Sequence, residues 1–198
     1  MRTVHGKVTS IFLICILFYA CSDIDRKRSN LYSIDSLLRK QSEFLVERTA
    51  DLTKITKLGH TGDTVKIIPK NSTEWVNELE IFGVIDILNK PANRDFYKIE
   101  NYPDNKSNLR VKAFTTVEAL PVKYLRLYYH ETEEKVRMIE AQYDESNLLY
   151  GSNRHFTMKF EPIDDAVILT SYEIVGNQKM FLGDSVKYTI SGSVALSN

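Results

Sequence analysis

The apolar residues Leu31, Ile34, Leu38, Leu45, Leu52 and Ile55 recur at steps of three, four and seven along the chain. That spacing lines one face of an α-helix, and it predicts an amphipathic helix over Leu31–Leu58. Ser33 is placed to cap its start and Gly59 to end it. Leu37 and Phe44 widen the stripe, so the helix is expected to lie on a sheet or on a second helix. Gln41 and Arg48 interrupt the stripe and speak against a long coiled coil. Gly59–Asp63 then reads as a loop and Thr64–Ile68 as a short extended piece ended by Pro69.

Asn71 followed three residues later by Glu74 has the spacing of a reciprocal helix cap. A second helix is predicted from Thr73 to near Leu88, with Trp75, Leu79, Phe82 and Ile85 on one face and Pro91 as its limit.

After Phe96 the period changes to two. Leu109, Val111 and Ala113 alternate with Arg110 and Lys112, and Leu125, Leu127 and Tyr129 alternate with Tyr124, Arg126 and Tyr128. Phe156, Met158 and Phe160 alternate with His155, Thr157 and Lys159, and Val186, Tyr188, Ile190 and Val194 continue the pattern. One apolar and one polar face mark an antiparallel sheet buried on one side. Turns are expected at Tyr102–Asn105, Glu131–Glu134, Gly151–Asn153, Gly176-Asn177 and Gly183-Asp184. The fold class predicted is α+β: one or two N-terminal helices packed on a C-terminal antiparallel meander of about seven or eight strands, which can curl into a half-open barrel. A single domain is expected over residues 33–198, mainly helical at 33–89 and sheet at 95–196.

Composition narrows the class without naming a ligand. Hydrophobic residues are 43% and charged residues 26% of 198, which excludes a disordered chain and a multi-span membrane protein. The 26 basic residues balance 26 acidic ones, so nothing here suggests a nucleic-acid partner.

The N-terminus carries more information. Arg2 and Lys7, without an acid, precede an unbroken apolar run from Ile11 to Ala20, the layout of a secretory signal peptide. The run is about half the length needed to cross a bilayer core. Ala20 is followed at once by Cys21, in Leu17-Phe18-Tyr19-Ala20-Cys21. This resembles the lipobox of bacterial lipoproteins, although Phe18 and Tyr19 stand where Leu and a small residue are commonest. The resemblance implies cleavage before Cys21, acyl chains on that cysteine, and a membrane as partner through the anchor. Of the two cysteines only Cys21 would remain, which leaves no disulfide within the mature chain. Residues 21–32 read as the lipidated cysteine and a charged tether. Ser22 stands where an inner-membrane retention signal would have Asp, so the resemblance implies the outer membrane.

Two further resemblances concern the body. Helices on a twisted meander are similar in architecture to periplasmic lipoprotein carriers, with no shared motif. The run Phe82–Pro91 and the segment Ser171–Val194 resemble lipoproteins of the Bacteroidota, which implies no activity.

The sequence holds no nucleophile elbow, phosphate loop, zincin motif or paired-cysteine metal signature, and no cofactor is expected. Ser185 and Asp164-Asp165 read as turn residues. The His130–Glu134 cluster sits at a hairpin tip, where side chains fan out instead of converging on a metal. The candidate binding face is Tyr124, Arg126, Tyr128 and His130 on one strand, with His155 on another. Tyrosine offers a flat apolar body and a hydroxyl, suited to a protein, glycan or lipid ligand. The expected function is a non-enzymatic, lipid-anchored binding or scaffold module. The alternatives are a carrier of an apolar ligand in a half barrel and an envelope hydrolase using His130 or His155.

Overall fold

The computed structural model describes residues 31–196. The signal segment, Cys21 and the tether through Asn30 lie outside the described residues. Leu31 and Tyr32 do not belong to a tether: the Leu31 N–H donates to Asn89 Oδ1 at 2.8 Å, and both side chains pack against the core.

Helix α1 spans Ile34–Glu47, and the Ser33 hydroxyl accepts from the Ser36 N–H as its N-cap. Asp86 supplies a second cap from a distant segment, accepting the Ile34 N–H at 2.7 Å. The helix stops well before Leu58. Thr49 takes φ +47°, which breaks the helical path, and Asp51–Leu58 leaves as strand β1. The expectation of a helix to Leu58 is therefore corrected, and a β-hairpin lies within the segment 33–89 expected to be mainly helical. Leu52 and Ile55 also satisfy a helical step, but Thr53, Ile55 and Thr56 are β-branched and favour a strand. Strand β2, Thr61–Ile67, returns through the two residues Gly59-His60, where Gly59 adopts φ +58° as a tight hairpin requires.

Helix α2 covers Ser72–Leu79. Asn71 Oδ1 accepts the Glu74 N–H at 3.0 Å, while Glu74 Oε2 accepts the Lys70 N–H at 2.9 Å. The chain then tightens into a 3-10 helix over Glu80–Asn89, so the second helical segment reaches the length expected but only its first half is α. The β-branched residues Val84, Ile85 and Ile87 and the presence of Gly83 weaken α-helix in that half.

Seven more strands follow: β3 Lys98–Pro103, β4 Arg110–Thr115, β5 Val122–Tyr129, β6 Val136–Ser146, β7 Tyr150–Ile163, β8 Ala166–Met180 and β9 Ser185–Ala195. All nine form one antiparallel sheet in the order β2-β1-β9-β8-β7-β6-β5-β4-β3. The fold is α+β as expected, with two more differences than the strand count. The hairpin β1–β2 separates the two helices, and the sheet is open, with β2 and β3 as its edges. Gly151–Asn153 and Gly176-Asn177 lie inside β7 and β8 instead of in turns. The β6–β7 turn is at 147–149, where Asn147 Oδ1 accepts the N–H groups of Leu149 and Tyr150.

Register sorts the two faces. Phe114, Leu125, Ala141, Phe156, Ile174 and Ile190 form one row across six strands, and this face lies under the helices. Trp75, Leu79, Phe82, Ile85 and Leu88 press onto it, all fully buried. Phe82 meets Phe156 with ring centroids 5.6 Å apart and Tyr172 at 5.3 Å, so large side chains occupy the layer between helices and sheet. Among the described residues no helix is long and apolar enough to cross a membrane.

Candidate functional site

Among the described residues the opposite face of the sheet carries no helix. Its rows run Thr115, Tyr124, Gln142, His155, then Ala113, Arg126, Glu140, Thr157, then Val111, Tyr128, Met138, Lys159. Four of the five residues singled out from the sequence, Tyr124, Arg126, Tyr128 and His155, therefore share this face. Lys159 and Thr157 join them, as the alternation of β7 requires.

These side chains form a chain of contacts. Tyr124 Oη and His155 Nδ1 lie 3.2 Å apart, and His155 Nε2 lies 3.4 Å from Thr157 Oγ1. The Arg126 guanidinium sits 4.3 Å from the Tyr124 ring centroid, within reach of its π face. The Tyr128 hydroxyl donates to Glu140 Oε2 at 2.7 Å, and Arg126 Nη1 stands 3.9 Å from the same oxygen. Burial, and then the Glu140 carboxylate, push the Tyr128 phenol well above its usual range. Burial raises Tyr124 as well, with the Arg126 charge opposing it. Both phenols are thus neutral donors at physiological pH.

His130 is not part of this cluster. It lies at the β5–β6 tip with Nδ1 3.8 Å from Glu131 Oε1, and Lys135 bonds Glu131 from the other side. Among the described residues no three His, Cys, Asp or Glu side chains converge as metal ligands. Asp164-Asp165 forms the two-residue β7–β8 turn, where Asp164 pairs with Arg48 at 2.7 Å.

Beside the cluster the face folds into a groove of about 610 Å³. Arg126, Tyr128, Met138, Glu140 and Lys159 form its floor, and Tyr102 on edge strand β3 and the 104–109 loop form one wall. Two bulges shape it. Arg137 is the extra residue where β6 pairs with β5, and Thr170 is the extra residue where β8 pairs with β7. A bulge bends its strand and re-aims side chains, and both of these residues line the groove. The face also closes over small residues: Val111 and Ala113 are buried on it. Arg126 Nε and Arg137 Nη1 are buried without a hydrogen-bond partner among the described residues. The charged side chains that line the groove are Lys106, Arg126, Arg137 and Lys159 against Asp104, Glu140 and Glu161, a small basic excess.

Sequence reasoning missed Tyr102 and Arg137. Strand alternation would put Arg137 opposite to Met138, and only the bulge brings both to one groove. Tyr102 lies within the turn expected at Tyr102–Asn105, yet it belongs to β3 and pairs with Val111 of β4.

Together the fold and the groove define an α+β protein built on one open antiparallel sheet, helix-covered on one face and arginine-lined on the other. Compared with protein-family models, curated proteins and solved structures, the chain matches none.

Proposed function

We propose that the protein is a lipid-anchored, non-enzymatic module of the bacterial cell envelope, held at the outer membrane through Cys21, that binds an acid-bearing ligand in the Tyr102–Tyr128 groove. The two guanidinium groups of Arg126 and Arg137, which line one groove, carry the binding part of this reading. A carboxylate or phosphate in the groove would meet both positive charges, and charge-assisted bonds are about twice as strong as neutral ones. Tyr102 and Tyr128 offer flat partners for a sugar ring or a peptide side chain. The anchor rests on the apolar run and Cys21. A carrier of an apolar ligand has less support, because Trp75, Phe82, Phe114 and Phe156 fill the layer that such a ligand would enter.

Mass measurement of the detergent-extracted protein, denatured and then native, tests both parts. The expected denatured mass is residues 21–198 plus two or three acyl chains. The expected native mass includes an acidic ligand that Arg126→Gln with Arg137→Gln no longer retains. A denatured mass without acyl chains removes the anchor, and an apolar ligand that survives both substitutions favours the carrier.

A further inference from the structure

Four connections, β1–β2, β4–β5, β6–β7 and β8–β9, close one end of the sheet, and two of them, β6–β7 and β8–β9, carry apolar residues that a water-facing turn ordinarily lacks. The β6–β7 turn presents Leu148 and Leu149, 91% and 69% exposed, and the end of β8 with the β8–β9 turn presents Met180, Phe181 and Leu182, at 53%, 73% and 93%. The Phe181 N–H donates to the Leu149 carbonyl at 2.8 Å, and Tyr150 pairs with Met180, so the two turns form one continuous apolar tip. At the opposite end of the same strands Glu131, Glu133 and Glu134 occupy the β5–β6 turn and Asp164 and Asp165 the β7–β8 turn, with Glu131, Glu133 and Asp164 paired to Lys135, Lys112 and Arg48.

We infer that this tip is a second membrane contact, in which Leu148, Leu149, Phe181 and Leu182 enter the interfacial layer of the bilayer that holds the lipid anchor. A fluid lipid surface takes up protruding apolar side chains without a fixed complementary shape. Lys179 and Lys187, both exposed on the strands just behind the β8–β9 turn, stand where long basic side chains reach headgroups while their stems lie along apolar surface. Asp184 in the same turn is the one acidic residue of that turn.

The chain outside the described residues supplies the bilayer. The contact rests on the lipid-anchored reading. The nine residues Ser22–Asn30 separate Cys21 from Leu31, and at full extension they span about 30 Å. The body is then kept within a short reach of the membrane, and one lipid-facing tip fixes which end turns toward it. A single weak contact of this kind gains from the anchor through effective concentration.

The test uses the full mature protein reconstituted in vesicles of phosphatidylethanolamine and phosphatidylglycerol with brominated acyl chains. Leu182→Cys and, separately, Asp165→Cys carry an environment-sensitive dye, since an acylated Cys21 leaves no other free thiol. The expected result is several-fold stronger quenching by brominated lipid at position 182 than at position 165. Equal quenching at the two positions overturns the tip contact while vesicle association keeps the anchor. A label at 182 shielded from aqueous iodide yet untouched by brominated lipid means that a second copy or another protein covers the tip, which also overturns it. Loss of vesicle association altogether, with no acyl mass on Cys21, overturns both.

Discussion

The ring of Tyr172 on β8 occupies the space above Gly192 on β9: a Cβ at Gly192 would come within 2.3 Å of Tyr172 Cε1. The two residues are directly paired, and the reciprocal pair Gly176–Tyr188 lies further along the same two strands. There a Cβ on Gly176 would meet Tyr188 Cζ at 2.1 Å. Each glycine lets the neighbouring ring lie down on the sheet, which recovers the packing that a glycine in a strand loses. Tyr172 is also buried, and its hydroxyl donates to Glu78 of α2 at 2.9 Å, with Lys54 of β1 pairing the same carboxylate. One ring thus ties two neighbouring strands to the second helix.

Gly192→Ala should be the costlier of the two glycine substitutions. Tyr172 is pinned by Phe82 and Glu78, so the added methyl forces a shift in packed surroundings, at about 1–3 kcal/mol. Tyr188 is half-buried and can swing outward, so Gly176→Ala should cost less. Urea unfolding midpoints of the two variants check the order, and a larger loss for Gly176→Ala would contradict it.

Gln41 is a buried polar tie between α1 and the sheet. Its Nε2 donates to the Val167 carbonyl at 2.8 Å and its Oε1 accepts the Leu169 N–H at 2.7 Å. Gln41→Leu keeps the volume and strands both backbone groups, at about 1–3 kcal/mol for each. Thermal unfolding should show a clearly lowered Tm. An unchanged Tm would mean that the helix does not rest on these bonds.

The Tyr128–Glu140 bond is half-exposed and should be worth about 1 kcal/mol, below the range for fully buried charged acceptors. Tyr128→Phe and Glu140→Gln, combined in a double-mutant cycle, should show coupling of that size. Additive losses would mean that the two groups are independent.

Alkali should unfold the protein through its tyrosines. Burial pushes Tyr32 and Tyr97 up to about 12 and raises Tyr172 further, with the Glu78 carboxylate adding to burial there. The folded state therefore holds phenolic protons more tightly than the unfolded chain does. The stabilisation is complete below pH 10 and is lost as pH rises from 10 toward and past 12. Phenolate absorbance and circular dichroism should change together over that window. Free titration near pH 10 with the fold intact would refute the assignment.

Asp35 supplies the opposite limb. Burial and the Asp86 carboxylate raise its pKa above 3.8, with Arg39 opposing. Its ionised form is thus disfavoured in the folded state, and stability falls as pH rises through its titration. Asp35→Asn should be at least as stable as the native chain at neutral pH, with any advantage shrinking as pH falls through the raised folded pKa and gone once pH is below 3.8. A variant that gains relative stability on acidification would reverse that sign.

The sequence by itself determined the alternating runs within β4, β5, β7 and β9, the caps at Ser33 and Asn71, and the face shared by Tyr124, Arg126, Tyr128 and His155. Each follows from local pattern: period two puts alternate residues on one face, and a cap acts within four residues. The tertiary structure decided the rest. A helix to Leu58 and a hairpin from Asp51 both place Leu52 inward, and pairing with β9 chose the hairpin. Gln41 and Arg48 break the apolar stripe of α1 because Gln41 meets the backbone of β8 and Arg48 meets Asp164. Gly151 and Gly176 look like turn residues, yet at Gly176 it is the ring of Tyr188, across the ladder, that needs a residue without a side chain. The groove beside the tyrosines depends on bulges at Arg137 and Thr170, and a bulge is a mismatch between two strands. Neither strand's sequence contains it until the two are paired.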